Sequence, residues 1–88
     1  MSISADVGAL SLSFDAYTMW VELTDGRTLG VPLAWFPRLL NATPTQRGEF
    51  RIGYGGTGLH WEGLDEDISV AGLLEGKGDQ THRRPAAA

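Results

Sequence analysis

The sequence predicts an α+β domain: a small antiparallel sheet in the order three strands, helix, β-hairpin, helix, with the helices packed on one face. Three observations carry this. Several short runs alternate apolar and polar residues with the period of two that a half-buried strand requires. Between them, and again near the end, the period lengthens to that of a helix. Within each run of strands the connections are of hairpin length, too short for the crossovers that parallel strands need.

The first candidate strand is Leu10 to Phe14, the second Tyr17 to Leu23 and the third Leu29 to Leu33. Directly opposed residues in a hairpin share a face, so Met19 and Val21 can lie beside Val31 and Leu29 only across a loop of odd length. A three-residue loop, Thr24-Asp25-Gly26, meets this if Gly26 takes the left-handed conformation. By the same parity, a two-residue turn at Asp15-Ala16 sets Leu12 opposite Met19 and Leu10 opposite Val21. After Pro32 the pattern becomes helical over 34–42, with Pro37 tolerable in the first turn. Thr43-Pro44-Thr45-Gln46 reads as a capping box that opens a second helical turn ending near Gly48. Phe50 to Tyr54 and Thr57 to Glu62 form a hairpin about Gly55-Gly56, in a register that opposes Ile52 to Leu59, Phe50 to Trp61 and Arg51 to His60. Ser69 caps a last helix over 70–75, which Gly76 ends.

At 88 residues and 42% hydrophobic content the chain is one domain with one core, expected over 1–76. Cysteine is absent, which excludes disulfides, thiolate metal sites and a cysteine nucleophile. No run reaches the ~20 apolar residues of a membrane span, and the start lacks the basic and apolar pattern of a secretory signal, so a soluble cytoplasmic protein is expected. Residues 1–76 hold ten acids against four arginines, a net of −6, while 77–88 hold three bases against Asp79, a net of +2. The acidic body disfavours direct nucleic-acid binding and suits a small basic protein partner. The segment 77–88 has too little apolar content to fold and is expected to be disordered.

Asp25-Gly26-Arg27, Val31-Pro32-Leu33, Trp35-Phe36-Pro37-Arg38-Leu39, Gly58-Leu59-His60-Trp61 and Leu64-Asp65-Glu66-Asp67-Ile68-Ser69-Val70 with Leu73-Leu74 follow one another over about residues 7 to 76. In order and spacing this set resembles the bacterial domain-of-unknown-function family 2442. The resemblance implies an α+β fold. It also implies a setting: members stand alone, are fused to a helix-turn-helix domain, or are encoded beside small proteins suspected of being toxins. It brings no catalytic residues. Only a short tail follows Gly76 in this sequence, so the direct DNA binding implied by the fused members is not expected here.

Acid–base and metal-ligand residue types concentrate at His60, Glu62, Asp65, Glu66 and Asp67, but their spacing matches no metal motif. The plainer reading makes His60 and Arg51 a cross-strand pair and the acids a turn whose charge suits the start of the last helix. Trp20 projects to the face opposite Met19 and Val21, alongside Thr18 and Glu22. There it is either an exposed anchor for a partner or a residue buried under the final helix or tail. Trp35, Phe36 and Trp61 are expected in the core. Arg38 is a candidate contact for an acidic ligand, or simply a solvated arginine. The glycines of 53–58 lack the lysine of a phosphate-binding loop and precede a strand, and no serine lies in a nucleophile elbow. The expected function is thus a non-catalytic, antitoxin-like protein-binding module without a cofactor. The alternative is a regulatory or DNA-associated accessory domain, acting as a homodimer or through another chain.

Overall fold

The computed structural model describes residues 7–78. Six strands form two antiparallel sheets of three, β1 (Ala9–Phe14), β2 (Thr18–Leu23) and β3 (Thr28–Pro32) in the first, β4 (Arg51–Gly53), β5 (Gly58–Trp61) and β6 (Glu66–Ser69) in the second. Three short helices, α1 (Pro37–Leu40), α2 (Pro44–Gly48) and α3 (Val70–Leu74), complete an α+β fold. The three leading strands and the later hairpin therefore belong to different sheets, and the hairpin gains a sixth strand.

The β2–β3 hairpin has the parity-derived register, Met19 opposite Val31 and Val21 opposite Leu29, with Gly26 at φ 94° in the loop. The β1–β2 register differs by two residues, pairing Leu12 with Val21 and Phe14 with Met19. Asp15 explains the shift: its carboxylate accepts the amides of Tyr17 and Thr18, stabilising a longer turn than the two residues expected. A bulge between Ala9 and Ser11 then turns Ala9 into the core and Leu10 out to solvent, where an inward Leu10 was expected.

The helical stretch expected over 34–42 breaks into a 3-10 turn, Leu33–Trp35, and α1. Proline excludes the helical region for the residue before it, and Phe36 accordingly sits at φ −132°, ψ 89°. The break leaves Trp35 partly exposed, against the core position expected for it, while Phe36 and Trp61 are buried. The capping box of α2 is formed on both sides: Gln46 N–H donates to Thr43 Oγ at 3.1 Å and Thr43 N–H to Gln46 Oε1 at 2.8 Å. Ser69 caps α3 through the Gly72 amide, and Gly76 follows at φ 81°. The β4–β5 register is the expected one, Ile52 opposite Leu59 and Arg51 opposite His60, but the loop is a four-residue turn over 54–57.

The missed strand β6 pairs with β5, Leu59 opposite Ile68 and Trp61 opposite Glu66. Its inward positions are Glu66 and Ile68, and the charge at the first of them erased the alternation that would have revealed a strand. Where a turn of three exposed acids was expected, the middle one, Glu66, is 5% exposed.

One core joins both sheets. Met19, Val21 and Val31 meet Leu59, Trp61 and Ile68, with Leu39 from α1 and Val70 and Leu73 from α3; α2 buries no side chain. The sheets are also locked backbone to backbone, since a β-carbon at Gly8 would lie 2.9 Å from Gly56 C and O. Of the segment 77–88, Lys77 and Gly78 are described, the Lys77 amide bonding to Gly72 O. The expected disorder otherwise lies outside the described residues.

The Gly8 contact yields a test. Gly8→Ala should lower stability by about 1–3 kcal/mol, because only backbone opposes the new methyl group. Gly48→Ala, which meets nothing within 4 Å, should leave stability equal or higher. Urea denaturation midpoints compare the two, and a Gly8 variant as stable as the wild type would contradict the close approach.

Candidate functional site

The outer face of the first sheet is built from small residues around one aromatic. Alternation sends Ser11, Ser13, Thr18, Trp20, Glu22, Thr28, Gly30 and Pro32 outward while Met19, Val21 and Val31 go in. Gly30 stands directly opposite Trp20, and the six-membered ring of the indole lies across it. A β-carbon at Gly30 would come within 2.6 Å of Trp20 Cζ3. At the turn, Asp15 Oδ2 accepts the indole N–H at 3.0 Å. The side chain is thus held at both ends yet remains 40% exposed. It is therefore not a buried side chain, and beyond Gly78 the tail considered as a cover lies outside the described residues. Glu22, two residues along β2, accepts from Ser11 Oγ at 3.0 Å. Among the described residues of this face there are two carboxylates, Asp15 and Glu22, and no cation.

Asp15 was not singled out in the sequence. Its turn position was visible, but the indole contact depends on a register that sequence parity did not determine. Its carboxyl is held below the ordinary 3.8, first by the Trp20 N–H and then by the Tyr17 amide, with desolvation opposing and the Thr18 amide adding least. Asp25 is lowered as well, chiefly by the Arg27 amide.

The outer face of the second sheet is different in kind. Arg51, His60 and Asp67 stand in one cross-strand row and Gly53, Gly58 and Ser69 in the next. The side-chain-free glycine row and the charged row beside it border a shallow concavity of about 810 Å³. Tyr54 rims it, exposed and at the left-handed φ of 55°, its ring within 3.2 Å of where a Gly58 β-carbon would be. Side chains on this face are paired: Arg51 Nη2 meets Glu62 Oε1 at 2.9 Å and His60 Nδ1 lies 2.5 Å from Asp67 Oδ1.

The candidate cluster of the sequence is dispersed by these pairings. Glu62 turns to Arg51, Asp67 to His60, and Glu66 faces inward, 3.8 Å from Arg38 Nη1. Asp65, left-handed at φ 52°, offers its carbonyl to the same guanidinium at 2.6 Å. Arg38 therefore ties α1 to β6 through Nη1 while its side chain stays partly exposed. Among the described residues no three histidine or carboxylate side chains converge as a metal site would need. Trp20 and Glu22 alone of the predicted set share an outward face without a cation beside them.

Residues 9–79 match the model of a protein family described as of unknown function, DUF2442. The chain belongs to this family. Two solved structures share the fold of this DUF2442 chain. One is the crystal structure of a protein of unknown function from Rhodospirillum rubrum, 32% identical, covering 86% of this chain and 95% of that one with a TM-score of 0.73. The other is the solution structure of an uncharacterised protein from Chromobacterium violaceum, 30% identical, covering 82% and 68% with a TM-score of 0.69. No curated protein matches. The family thus fixes the fold of this DUF2442 chain, and its chemistry has to be argued from the two sheet faces.

The Asp15–Trp20 contact can be titrated. Because the folded pKa lies below 3.8, its stabilisation is complete above that pH and is lost as the pH falls through the depressed value. The Trp20 component of the emission, wild type minus Trp20→Phe, should change with a midpoint below pH 3.8 and stay flat in Asp15→Asn. A midpoint at or above 3.8 would contradict the geometry.

Proposed function

We propose that this DUF2442 chain is a non-catalytic protein-binding module of the bacterial cytoplasm that takes up a small basic protein, in an antitoxin-like role, by covering part of its surface. The observation that carries the reading is the outer face of the first sheet: an exposed tryptophan, fixed in position, with two carboxylates and no cation among the described residues around it. Aromatic side chains held in place lose little entropy on association and dominate binding energy when a partner buries them. The surrounding serines, threonines and glycine let another surface approach closely. The acidic balance of residues 1–76 would steer a basic partner toward this face.

A non-catalytic role is supported by how the reactive side chains are used. His60, Glu62, Asp67 and Arg51 are engaged in exposed pairs, and the 810 Å³ concavity beside them is open and shallow.

The full chain and its Trp20→Ala variant, each tagged and recovered from the native host after nuclease treatment, test the proposal. The wild type should carry a stoichiometric small basic protein, and the variant should lose about 30-fold or more in affinity while unfolding cooperatively in urea. Wild type eluting alone, or a folded variant that keeps the partner, would overturn it.

A further inference from the structure

Trp20 presents one face of a flat ring. The other lies on Gly30, so close that a β-carbon there would sit 2.6 Å from Cζ3 and 3.1 Å from Cε3 and Cη2. The indole N–H, the ring's positive edge, is already satisfied by Asp15 Oδ2. What remains accessible is the electron-rich face, the part of an aromatic that attracts cations. The carboxylates beside it have acceptor capacity to spare. Asp15 receives the Tyr17 and Thr18 amides and the indole, and Glu22 receives one bond, from Ser11, against the roughly four that a carboxylate can accept.

We infer that this face reads an arginine of the basic partner, its guanidinium stacked on the open side of Trp20 and its N–H groups donating to Glu22 and Asp15. The inference rests on the binding-module reading above and specifies the chemistry of the same site. A guanidinium fits better than an ammonium for two reasons. It is planar, so it stacks on a ring that Gly30 holds flat against the sheet, and it carries five donors in a fork that can meet two carboxylates at once. A lysine ammonium is a more strongly hydrated point charge and uses the ring less well. Arg27, the nearest basic residue in sequence, does not supply the group, because its Nε is held by Asp25 at the hairpin tip, 2.8 Å away. On the second sheet's outer face the Glu62 and Asp67 carboxylates are already engaged by Arg51 and His60.

The probes are acetylated tetra-arginine and tetra-lysine peptides, titrated into the full chain while the Trp20 indole N–H and backbone amide signals are followed by NMR. Tetra-arginine should shift the Trp20 signal and the Ser11, Ser13 and Thr28 amides saturably, about fivefold to tenfold more tightly than tetra-lysine. Glu22→Gln, which leaves the core untouched, should weaken tetra-arginine at least threefold. Equal affinities for the two peptides, shifts confined to the His60 row, or a Trp20 signal that moves with protein concentration alone would each overturn the inference, the last by assigning the face to a second copy. The two readings fail separately. A partner that is lost in Trp20→Ala but not displaced by tetra-arginine refutes the arginine alone, whereas a partner kept by Trp20→Ala refutes the binding face itself.

Discussion

The rest of the structure depends on the burial of Trp61. It lies on the central strand of the second sheet with no exposed surface, and its indole N–H would be costly to bury unpaired. That donor goes to the Arg47 carbonyl in α2 at 2.9 Å. Arg47 in turn sends its guanidinium to two carbonyls at the C-terminal end of α1, that of Leu39, which also takes the Ala42 amide, and that of Leu40. From α1, Arg38 reaches the Asp65 carbonyl and the Glu66 carboxylate, and Glu66 stands opposite Trp61 in the β5–β6 ladder. The contacts close a ring: strand, helix, helix, strand. Two helices far too short to be stable alone are held by it, and a charged residue is held inside a sheet.

This ring separates the two sheets by function. On the second, side chains are spent on structure: Glu66 and Trp61 inward, Arg51–Glu62 and His60–Asp67 outward, each outward carboxylate with a side-chain partner. Covering those pairs would require desolvating ions that already have partners, a step that seldom yields net binding energy. The first sheet has no such ring. Its outer face is neutral apart from Asp15 and Glu22, and its tryptophan already lies on glycine. Both sheets place an aromatic against a glycine, Tyr54 by Gly58 and Trp20 over Gly30. Tyr54 hangs from a left-handed loop residue and is 90% exposed, whereas Trp20 is anchored in the middle strand.

Period and parity made much of this legible in the sequence. The β2–β3 and β4–β5 registers followed from requiring one apolar face, and the caps at Thr43 and Ser69 from local side-chain chemistry that needs no tertiary context. What escaped were the places where a long-range contact overrides a local pattern. Glu66 breaks the alternation of β6 because an arginine 28 residues earlier compensates its charge. The longer Asp15 turn shifts β1 by two residues, which conserves parity and so leaves no trace in the pattern, and the bulge at Leu10 then reverses the faces of Ala9 and Leu10. Pro37 opens α1, in the first turn as expected; it also detached Phe36 from the helix and exposed Trp35. Of the candidate site, Trp20 and Glu22 could be placed on one outward face from sequence, but the Asp15 contact could not, since it exists only in the shifted register.

That shifted register is what turns an exposed tryptophan into an organised one. Asp15 directly follows β1 and heads a turn that is two residues longer than expected. In the observed turn its Oδ1 holds the Tyr17 and Thr18 amides and its Oδ2 the ring, so one carboxylate both closes the hairpin and sets the rotamer of Trp20. A side chain already in its bound rotamer loses less entropy when a partner covers it, and about 0.5–1.5 kcal/mol is at stake for each side chain so ordered. The same carboxylate places a negative charge at the ring's edge. Hairpin closure, preorganisation and charge at this face therefore rest on a single aspartate, which couples the stability of the first sheet to the readiness of its outer surface.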